Sequence, residues 1–382
     1  MSTQAFTEIG FAEIVAQNGG RVFRVGGCVR DSLMGRTPKE VAFSIVGMVK
    51  KNFKTLFPEA EDAGKPFPVF HLVIDGVKRE VAFARTEQKA GSGLKAFKVS
   101  AKPKITIEED LLRRDTRVNS MAMDCLTGEL IDPFQGRGDI EAKVLRANGQ
   151  HFTDYPMNAL RIAGQAACLG FKIETDTLQL IIRAGEGLAH EPVGRMAAEL
   201  ELVLSEAPEP GRFFRVLAKT GLLPIVFKEL SQLSREAFEK TMVGLDAVAQ
   251  ATTNPKVRFA ALGAALNKEG VGLWSSRMKL PGSWLDAAVT VSQTIHLLEA
   301  ATPAKLVDTI YNLRRGSLTI EEFDLITKAA GLKIPQLGLL KEQMALPQEE
   351  AVPKHLKGRE LGEWLREKHI ELLARQLHSK YQ

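Results

Sequence analysis

Cysteine is scarce in this sequence of 382 residues, which contains only Cys28, Cys125 and Cys168. Three cysteines without metal-ligand spacing favour a reducing compartment over a disulfide framework. No stretch approaches the roughly 20 apolar residues that a membrane span requires. The first twenty residues also lack a basic segment followed by an apolar core, so we expect no secretory signal. The sequence therefore predicts a cytoplasmic protein with no membrane partner.

Other features that could identify a function are also missing. The seven histidines show no metal-ligand spacing, and the chain contains no tandem repeat or long low-complexity tract. The formal net charge is +5 and the isoelectric point is near 9.0, a mild basic excess that is compatible with nucleic-acid binding. The length is sufficient for two or three domains with a substantial core.

The stretch from residue 21 to residue 47 has the pattern of a strand, a glycine turn, a short helix and a second strand. The turn contains Gly26 and Gly27, which would let the backbone approach a phosphate, and the helix after them would offer N–H donors. The second strand is expected to start after Lys39. Residues two apart on a strand share a face, so Glu40 and Ala42 are predicted to point the same way.

The next part of the chain predicts a hairpin and a loop. Residues 69–74 and 77–84 alternate like strands around an Asp75-Gly76 turn, which places Glu80 near a strand end. The Gly, Ser and Lys content of residues 86–104 predicts a mobile basic segment. This segment is either a solvated loop or a loop that contacts phosphates, and its candidate contacts to an RNA backbone are Lys95, Lys98, Lys102 and Lys104.

Helical spacing dominates the chain from Phe152 onward. Apolar residues recur at i, i+3 and i+4, and Gly or Pro separates the segments, which are residues 156–170, 175–184, 193–205, 211–220 and 235–250. The sequence therefore predicts three parts: a mixed α/β head over residues 1–147, a helical neck over 148–228, and a helical body and tail over 229–382.

A series of short motifs follows one order along the chain. They are GGCVRD at 26–31, PKE at 38–40, REVAFARTE at 79–87, RRD at 113–115 with Asn119, IDPFQG at 131–136, residues 152–171 ending in LGF, and LKGRELGE at 356–363. In this order they resemble class II tRNA nucleotidyltransferases, the family of bacterial CCA-adding enzymes and poly(A) polymerases.

The resemblance implies an α+β fold with a polymerase β-type nucleotidyltransferase head, a mixed sheet with helices, followed by an all-helical neck, body and tail. In the family, carboxylates on one strand face hold two Mg²⁺ ions for transfer from ATP or CTP to an RNA 3′ end. An Asp and an Arg one helical turn apart read the incoming base. The implied partner is tRNA or another structured RNA, and DNA is not expected.

The sequence departs from the family where the chemistry resides. The family strand reads Lys-Asp-x-Asp, but here Glu40 and Ala42 occupy the acidic positions. Alanine cannot bind a metal, so a loss of roughly a thousandfold or more in rate is expected. Tyr155 and Asn158 replace the base-reading pair, and neither supplies an anionic acceptor or a guanidinium. Ala264 also lies where some members carry a phosphohydrolase His-Asp pair.

The candidate site residues fall into four groups by implied role. The doubtful catalytic remnants are Glu40, also the one candidate metal ligand, and Glu80. The nucleotide or phosphate contacts are Gly26, Gly27, Arg30, Asp31, Arg113, Arg114, Asp115, Asn119, Tyr155, Asn158 and Arg161. The flexible loop contributes Arg85, Glu87 and Lys89, of which the last two are expected to be solvent-exposed. Arg195 joins the four lysines as an RNA contact, although ion pairing is an equal explanation for Arg161 and Arg195.

Three hypotheses follow from these residues. The favoured one is a degenerate family member that binds tRNA or structured RNA without efficient nucleotide addition, and possesses no working cofactor site. The second is an active template-independent enzyme in which Glu40, Glu80 and Asp115 rebuild a Mg²⁺ site for ATP or CTP. The third is a protein-interaction module. The oligomeric state is left open by the sequence.

Overall fold

The computed structural model describes residues 6–63, 69–89, 97–298, 301–332, 337–344, 352–353 and 355–379. The chain divides into two compact units, the first formed by Met1–Ala166 with Gly170–Glu191 and the second by Ala167–Leu169 with Pro192–Gln382. The first unit contains a mixed sheet with helices, and each regular element described in the second is a helix. The predicted α+β fold class is confirmed.

The first unit begins with alternating helices and strands. Its strands are β1 Arg21–Val25, β2 Ala42–Val46, β3 Glu61–Asp62, β4 Val69–Ile74, β5 Val77–Phe83, β6 Thr86–Lys89, β7 Phe97–Ser100, β8 Ala122–Asp124, β9 Leu130–Ile131, β10 Val144–Leu145 and β11 Lys172–Ile173. Its helices are α1 Glu8–Gln17, α2 Gly27–Leu33, α3 Lys50–Leu56, α4 Ile107–Leu112, α5 Gly136–Ala142, α6 Met157–Leu169 and α7 Thr175–Gly185.

The main sheet of the first unit has seven strands in the order β3-β4-β5-β2-β1-β8-β9. Only the pairing of β2 with β5 is parallel. One face is buried under α1 and α3 by a cluster rich in phenylalanine, which includes Phe11, Phe43 and Phe53. On the other face, Phe23 packs with Leu111 of α4. The sheet is therefore covered on both faces near β1, and the strand ends beside β1 carry the candidate site.

The predicted hairpin is confirmed. β4 pairs antiparallel with β5, and the two turn residues Asp75 and Gly76 have φ of 51° and 72°, as a type I′ turn requires. Glu80 lies at the middle of β5, between β4 and β2, and not near a strand end. The predicted bounds of this strand agree with β5, Val77–Phe83, to within one residue, so the error lies only in the position assigned to Glu80 within it.

Two expectations about local structure are wrong. β2 begins at Ala42, so Glu40 precedes the strand and does not share its pleat. The segment predicted as a mobile loop contains β6 and β7, which pair antiparallel in a two-stranded sheet. Cross-strand pairing overrides the weak local periodicity of these residues. Lys95 lies outside the described residues.

The second unit consists of helices. They are α8 Val193–Glu206, α9 Gly211–Lys219, α10 Leu223–Val226, α11 Lys228–Ser231, α12 Arg235–Ala251, α13 Pro255–Leu262, α14 Lys268–Met278, α15 Gly282–Leu298, α16 Pro303–Leu313, α17 Ile320–Ala329, α18 Leu337–Gln343 and α19 Gly358–Ser379. The five helical segments predicted after residue 152 are confirmed within two residues at each end as α6, α7, α8, α9 and α12. Over the described residues, we find no helix with the length and hydropathy of a membrane span.

A buried arginine joins several helix ends in the second unit. Arg258 on α13 is 2% exposed, and its guanidinium donates to the carbonyl oxygens of Leu204, Ala207, Ala249 and Thr252 at 2.6–2.9 Å. These carbonyls belong to the last turns of α8 and α12 and to the residues that follow them, where the helices leave acceptors unsatisfied. Burial lowers the pKa of Arg258 from its usual value. One cation therefore satisfies the C-terminal ends of two helices.

Replacing Arg258 with methionine should destabilise the second unit by about 3 kcal/mol or more, because buried carbonyls that lose a donor cost about 1–3 kcal/mol each. Urea unfolding followed by circular dichroism measures the shift in midpoint. The control is Arg235→Met, since Arg235 is exposed at the start of α12. Exposed substitutions of this kind stay within about 0.5 kcal/mol. Equal midpoints for both variants would contradict a structural role of Arg258.

Candidate functional site

The glycine turn after β1 forms one edge of the candidate site. β1 ends at Val25, Gly26 has φ of 80°, and α2 starts at Gly27. A Cβ at Gly26 would lie 2.8 Å from Nη1 of Arg114, so a side chain there would require Arg114 to shift and would strain the backbone. The turn therefore brings the backbone against an arginine side chain.

The second edge is the start of β2. Ala42 pairs with Glu80 in the parallel ladder between β2 and β5, so the two residues share one face of the sheet. Glu80 is exposed, whereas Ala42 is partly buried against the cluster of Phe23 and Leu111. Ser44, two residues along β2, points to the same face, and its buried hydroxyl has no hydrogen-bond partner in the described part of the chain. Glu80 is therefore the carboxylate on this face, and the neighbouring positions on β2 hold Ala42 and Ser44, which have none.

The donor set on this face does not fit a two-metal centre. Glu40 and Glu80 are exposed, and Ala42 offers no oxygen between them. Among the described residues, no group of three or more His, Cys, Asp or Glu side chains is placed to hold a metal ion. Mg²⁺ requires near-octahedral oxygen coordination, and a two-metal site needs carboxylates that bridge the ions.

A buried carboxylate, Asp110, is the centre of the third edge. Asp110 on α4 is 1% exposed and accepts from Nε and Nη2 of Arg113 at 3.0 and 2.7 Å and from Nη2 of Arg114 at 3.2 Å. The backbone N–H of Arg85 donates to it at 3.1 Å. Burial alone would raise the pKa of Asp110, but Arg114 and Arg113 outweigh burial and the pKa is lowered. Asp110 therefore stays ionised and fixes both arginines.

Glu87 on β6 extends this network. One carboxylate oxygen accepts from Nε of Arg85 at 2.7 Å and from Nη1 of Arg113 at 2.9 Å, and the other accepts from the hydroxyl of Tyr155. The side chain of Glu87 is 4% exposed, so the expectation that it is solvent-exposed is wrong. Glu87 can be buried because buried donors compensate its charge. Two of these donors, Arg113 and Tyr155, are distant in sequence, so the motif around Glu87 does not predict them. The side chain of Lys89 is not described, and its backbone lies on β6 opposite Phe97.

A second network lies next to Gly26. Arg30 donates to Asp31 at 2.7 Å and to Oδ1 of Asn119 at 2.7 Å, and Nδ2 of Asn119 donates to Asp115 at 3.2 Å. Asp115 is 5% exposed. Burial would raise the pKa of Asp115, but Arg161, Asn119 and the N–H of Thr116 lower it overall. This network connects α2 with the segment after α4.

The Asp115 carboxylate is shared with α6. Nη2 of Arg161 lies 3.4 Å from Asp115, and Nε2 of Gln165 donates to it at 3.0 Å. Half of the Arg161 side chain is exposed, so part of its guanidinium faces solvent. Asp115 is thus committed to five donors of the protein, since Asn119 also donates to it, as do the N–H of Thr116 at 2.7 Å and the hydroxyl of Thr116 at 3.3 Å. It is poorly placed to add a carboxylate to the Ala42 face.

The two residues at the base-reading positions have internal partners. Tyr155 is partly buried and precedes α6, with its hydroxyl on Glu87. Asn158 in the first turn of α6 is 5% exposed, and its amide donates to the carbonyl oxygen of Phe152 at 3.0 Å. Nucleotide contacts of these residues remain predictions.

The structure brings most predicted nucleotide contacts into two charged networks, and the three described lysines among the predicted RNA contacts take no part in the hydrogen bonds of those networks. Lys98, Lys102 and Lys104 are exposed on and after β7. Arg195 is partly buried in the first turn of α8 and belongs to the second compact unit. An RNA contact by these residues remains a prediction.

Sequence analysis missed Asp110 and Gln165 as site residues. Asp110 looked like one of several acidic residues suited to a helix N-terminus, but its spacing of three and four residues from Arg113 and Arg114 is an ion-pair signal. Gln165 offered no such signal, because its partner Asp115 is 50 residues away in sequence.

Comparison with known proteins is consistent with this geometry. The profile described as "Poly A polymerase head domain" matches residues 22–146, and the one described as "Probable RNA and SrmB- binding site of polymerase A" matches residues 170–233. The multifunctional CCA protein of Nitrosococcus oceani is 32% identical over 94% of this chain and 99% of its own length.

The chain belongs to the tRNA nucleotidyltransferase and poly(A) polymerase family.

Solved structures of this family share the fold. The crystal structure of the CCA-adding enzyme of Bacillus stearothermophilus in complex with CTP matches with a TM-score of 0.69 at 24% identity, over 96% of this chain and 92% of that chain. A tRNA nucleotidyltransferase complexed with a primer tRNA and an incoming ATP analogue matches with a TM-score of 0.66 at 23% identity, over 87% and 98%. At these identities the likeness concerns the fold.

In this family member, replacing Asp110 with asparagine should cost about 3 kcal/mol at pH 7, because it leaves buried arginines without their carboxylate. The pKa of Asp110 is lowered in the folded state, so its stabilisation is present above the unfolded pKa of about 3.9 and is lost as pH falls through the folded pKa. Urea midpoints at pH 7 and at pH 3 measure the difference between the wild-type chain and the variant, which should shrink on acidification.

The matched control is Glu108→Gln, which neutralises an exposed carboxylate on the same helix. It should change the midpoint by no more than about 0.5 kcal/mol at pH 7. A pH-independent difference between the wild-type chain and Asp110→Asn would show that the charge of Asp110 is not what stabilises the fold.

Proposed function

We propose that this protein binds tRNA or another structured RNA and has lost efficient nucleotide addition. The observation that carries the proposal is Ala42, which begins β2 directly opposite Glu80 and so leaves this sheet face without a central carboxylate. The ladder around Ala42 is regular. The change therefore concerns side-chain chemistry and not the backbone that would present it.

The size of the loss follows from what metal ions contribute. Two metals that activate a 3′-hydroxyl and neutralise a triphosphate supply several kcal/mol of transition-state stabilisation. Each ~1.4 kcal/mol corresponds to tenfold in rate, so a site without its bridging ligand should be slower by about a thousandfold or more. Exposed Glu40 and Glu80 do not replace a ligand that lies between them.

Base selection is affected independently of the metals. Tyr155 and Asn158 occupy the positions at which the family resemblance implies an acid and an arginine, and both have partners inside the protein. A tyrosine hydroxyl and an amide cannot reproduce a carboxylate acceptor and a guanidinium fork. Two separate parts of the chemistry are thus altered, which supports a change of role and not a single damaging substitution.

RNA binding is supported by charge and by kinship. The chain has a net charge of +5, and three lysines after β6, Lys98, Lys102 and Lys104, are exposed. A solved structure of the same fold is a tRNA nucleotidyltransferase complexed with a primer tRNA. Phosphate contacts need only correctly placed cations, so they survive when catalytic carboxylates are lost.

The binding half of the proposal is tested by titrating labelled tRNA at several salt concentrations in a gel-shift assay. We expect affinity to fall steeply with salt, because lysine and arginine contacts to phosphates release counterions. Replacing Lys98, Lys102 and Lys104 with alanine should reduce the slope of log K against log salt by about 2–3, which is near 0.7–0.9 per phosphate contact.

The control removes three lysines elsewhere in the first unit, Lys51, Lys54 and Lys78, which are also exposed. That variant has the same net charge as the test variant but should keep the wild-type slope. Absence of tRNA binding at low salt would overturn the proposed function, and equal slopes for the two triple variants would remove the lysines from the interface.

A second candidate is an active nucleotidyltransferase. It is favoured by a relative over nearly the whole chain, the multifunctional CCA protein of Nitrosococcus oceani, and by two exposed glutamates, Glu40 just before β2 and Glu80 at the middle of β5. The third carboxylate suggested for a rebuilt site, Asp115, has internal partners instead.

Extension of tRNA that lacks its 3′ end, with labelled ATP or CTP and Mg²⁺ or Mn²⁺, separates the two candidates. We expect incorporation by the wild-type chain to be about a thousandfold or more below that of a family member with both acids. Ala42→Asp should bind Mn²⁺ about tenfold more tightly than the wild-type chain in calorimetric titration, because it adds an anionic ligand opposite Glu80.

Ala42→Asn is the matched control, since it has the same shape as the aspartate variant without the charge. Extension by Ala42→Asp should remain poorly selective between ATP and CTP, because Tyr155 and Asn158 are unchanged. Efficient extension by the wild-type chain that Glu40→Ala abolishes would establish the second candidate and overturn the first.

A further inference from the structure

The Glu87 carboxylate lies among donors that would also suit a phosphate. It accepts from Nε of Arg85, from Nη1 of Arg113 and from the hydroxyl of Tyr155. Two guanidiniums and a hydroxyl directed at one anion are typical of phosphate recognition, since their donors match its oxygens. In this chain the anion that they hold is the side chain of Glu87, the second residue of β6.

Burial makes the identity of that anion important. The side chains of Arg85 and Arg113 are 12% and 18% exposed, and that of Glu87 is 4% exposed. Burial, with the charge of Arg113 added, lowers the pKa of Arg85. Cations held close together away from water need compensating negative charge, and breaking such a pair costs far more than breaking a surface pair. Asp110 supplies one charge to Arg113, and Glu87 supplies the charge that both arginines share.

Tyr155 adds a contact from a different part of the chain. Its hydroxyl is neutral, so it can donate to Glu87 without repulsion, whereas an acid at position 155 would face the Glu87 carboxylate as a like charge. The bond joins the start of α6 to β6, 68 residues away in sequence. Tyr155 thus has two consequences. It stands where the family resemblance implies an acid that reads the base, and its hydroxyl stabilises Glu87 in its buried position.

We propose that Arg85, Arg113 and Tyr155 form a phosphate-binding cradle that Glu87 occupies as an internal ligand, so that the wild-type chain excludes phosphate groups from it. The ligand class is the phosphate group of a nucleotide or of an RNA end. Binding requires Glu87 to be displaced or removed. This block is separate from the loss of a metal ligand at Ala42, and it does not depend on RNA binding elsewhere on the chain.

The test removes the internal ligand with Glu87→Ala and supplies inorganic pyrophosphate. Calorimetric titration should show at least about tenfold tighter binding to Glu87→Ala than to the wild-type chain, because a vacated cationic cradle binds an anion that the carboxylate excluded. Thermal unfolding provides a second measurement. The melting temperature of Glu87→Ala should be below that of the wild-type chain, and it should rise by about 3 °C or more when pyrophosphate replaces chloride at constant ionic strength.

Two further variants assign the effect to the cradle. Glu141→Ala removes an exposed glutamate from an ion pair with Arg137 in the same unit and should gain no pyrophosphate affinity. Glu87→Ala with Tyr155→Phe lacks one of the three donors and should bind pyrophosphate several-fold more weakly than Glu87→Ala alone. If Glu87→Ala does not fold, Glu87→Gln, which keeps the side-chain shape, provides the same comparison. If Glu87→Ala folds only when pyrophosphate is present, that result also supports the proposal.

The source of the phosphate is separated by two more titrations of Glu87→Ala, one with ATP and one with a short RNA that ends in a 3′-phosphate. The tighter of the two identifies the natural chemistry of the cradle. The proposal is overturned if pyrophosphate binds the wild-type chain and Glu87→Ala equally, or if Glu141→Ala gains as much as Glu87→Ala. Loss of tRNA binding would affect the proposed function and leave these outcomes unchanged.

Discussion

The compensation of buried arginine charge by Asp110 is the interaction on which the candidate site depends. Asp110 accepts from Arg113 and Arg114 and from the backbone of Arg85, so one carboxylate orients the two arginines that follow α4 and the chain entering β6. Without it, Arg114 would not be held beside Gly26, and Arg113 would not reach Glu87. The networks on either side of the glycine turn therefore depend on the charge of Asp110, whose removal would destabilise the fold because it leaves buried arginines without a partner.

The family fold and an alanine at position 42 are compatible because they involve different atoms. The sheet depends on backbone pairing and on buried apolar side chains such as Phe23 and Phe43, which do not take part in metal binding. Ala42 takes part in the ladder with β5 through its backbone, and that pairing does not use its side chain. A carboxylate there can disappear without disturbing the strand, whereas Asp110 and Asp115 cannot, because each neutralises or accepts from buried groups.

Sequence patterns predicted the fold where local signals were strong. The hairpin around Asp75-Gly76 followed from turn chemistry, and helices such as α8 and α12 followed from apolar spacing. Prediction failed at β6 and β7, whose pairing is not encoded by alternation, and at Glu87, whose burial depends on Arg113 and Tyr155. The contacts of Glu87 with Arg113 and Tyr155 join residues 26 and 68 positions apart, and no local pattern reports them.

The sequence by itself determined the family, the hairpin around Asp75-Gly76, and the substitutions at Ala42 and Tyr155, since each is a matter of residue identity at a motif position. Only the tertiary structure decided that Ala42 faces Glu80 and that Tyr155 contacts Glu87. The reason is physical: strand register and charge compensation depend on which distant groups share a buried environment. That environment exists only once the chain has folded.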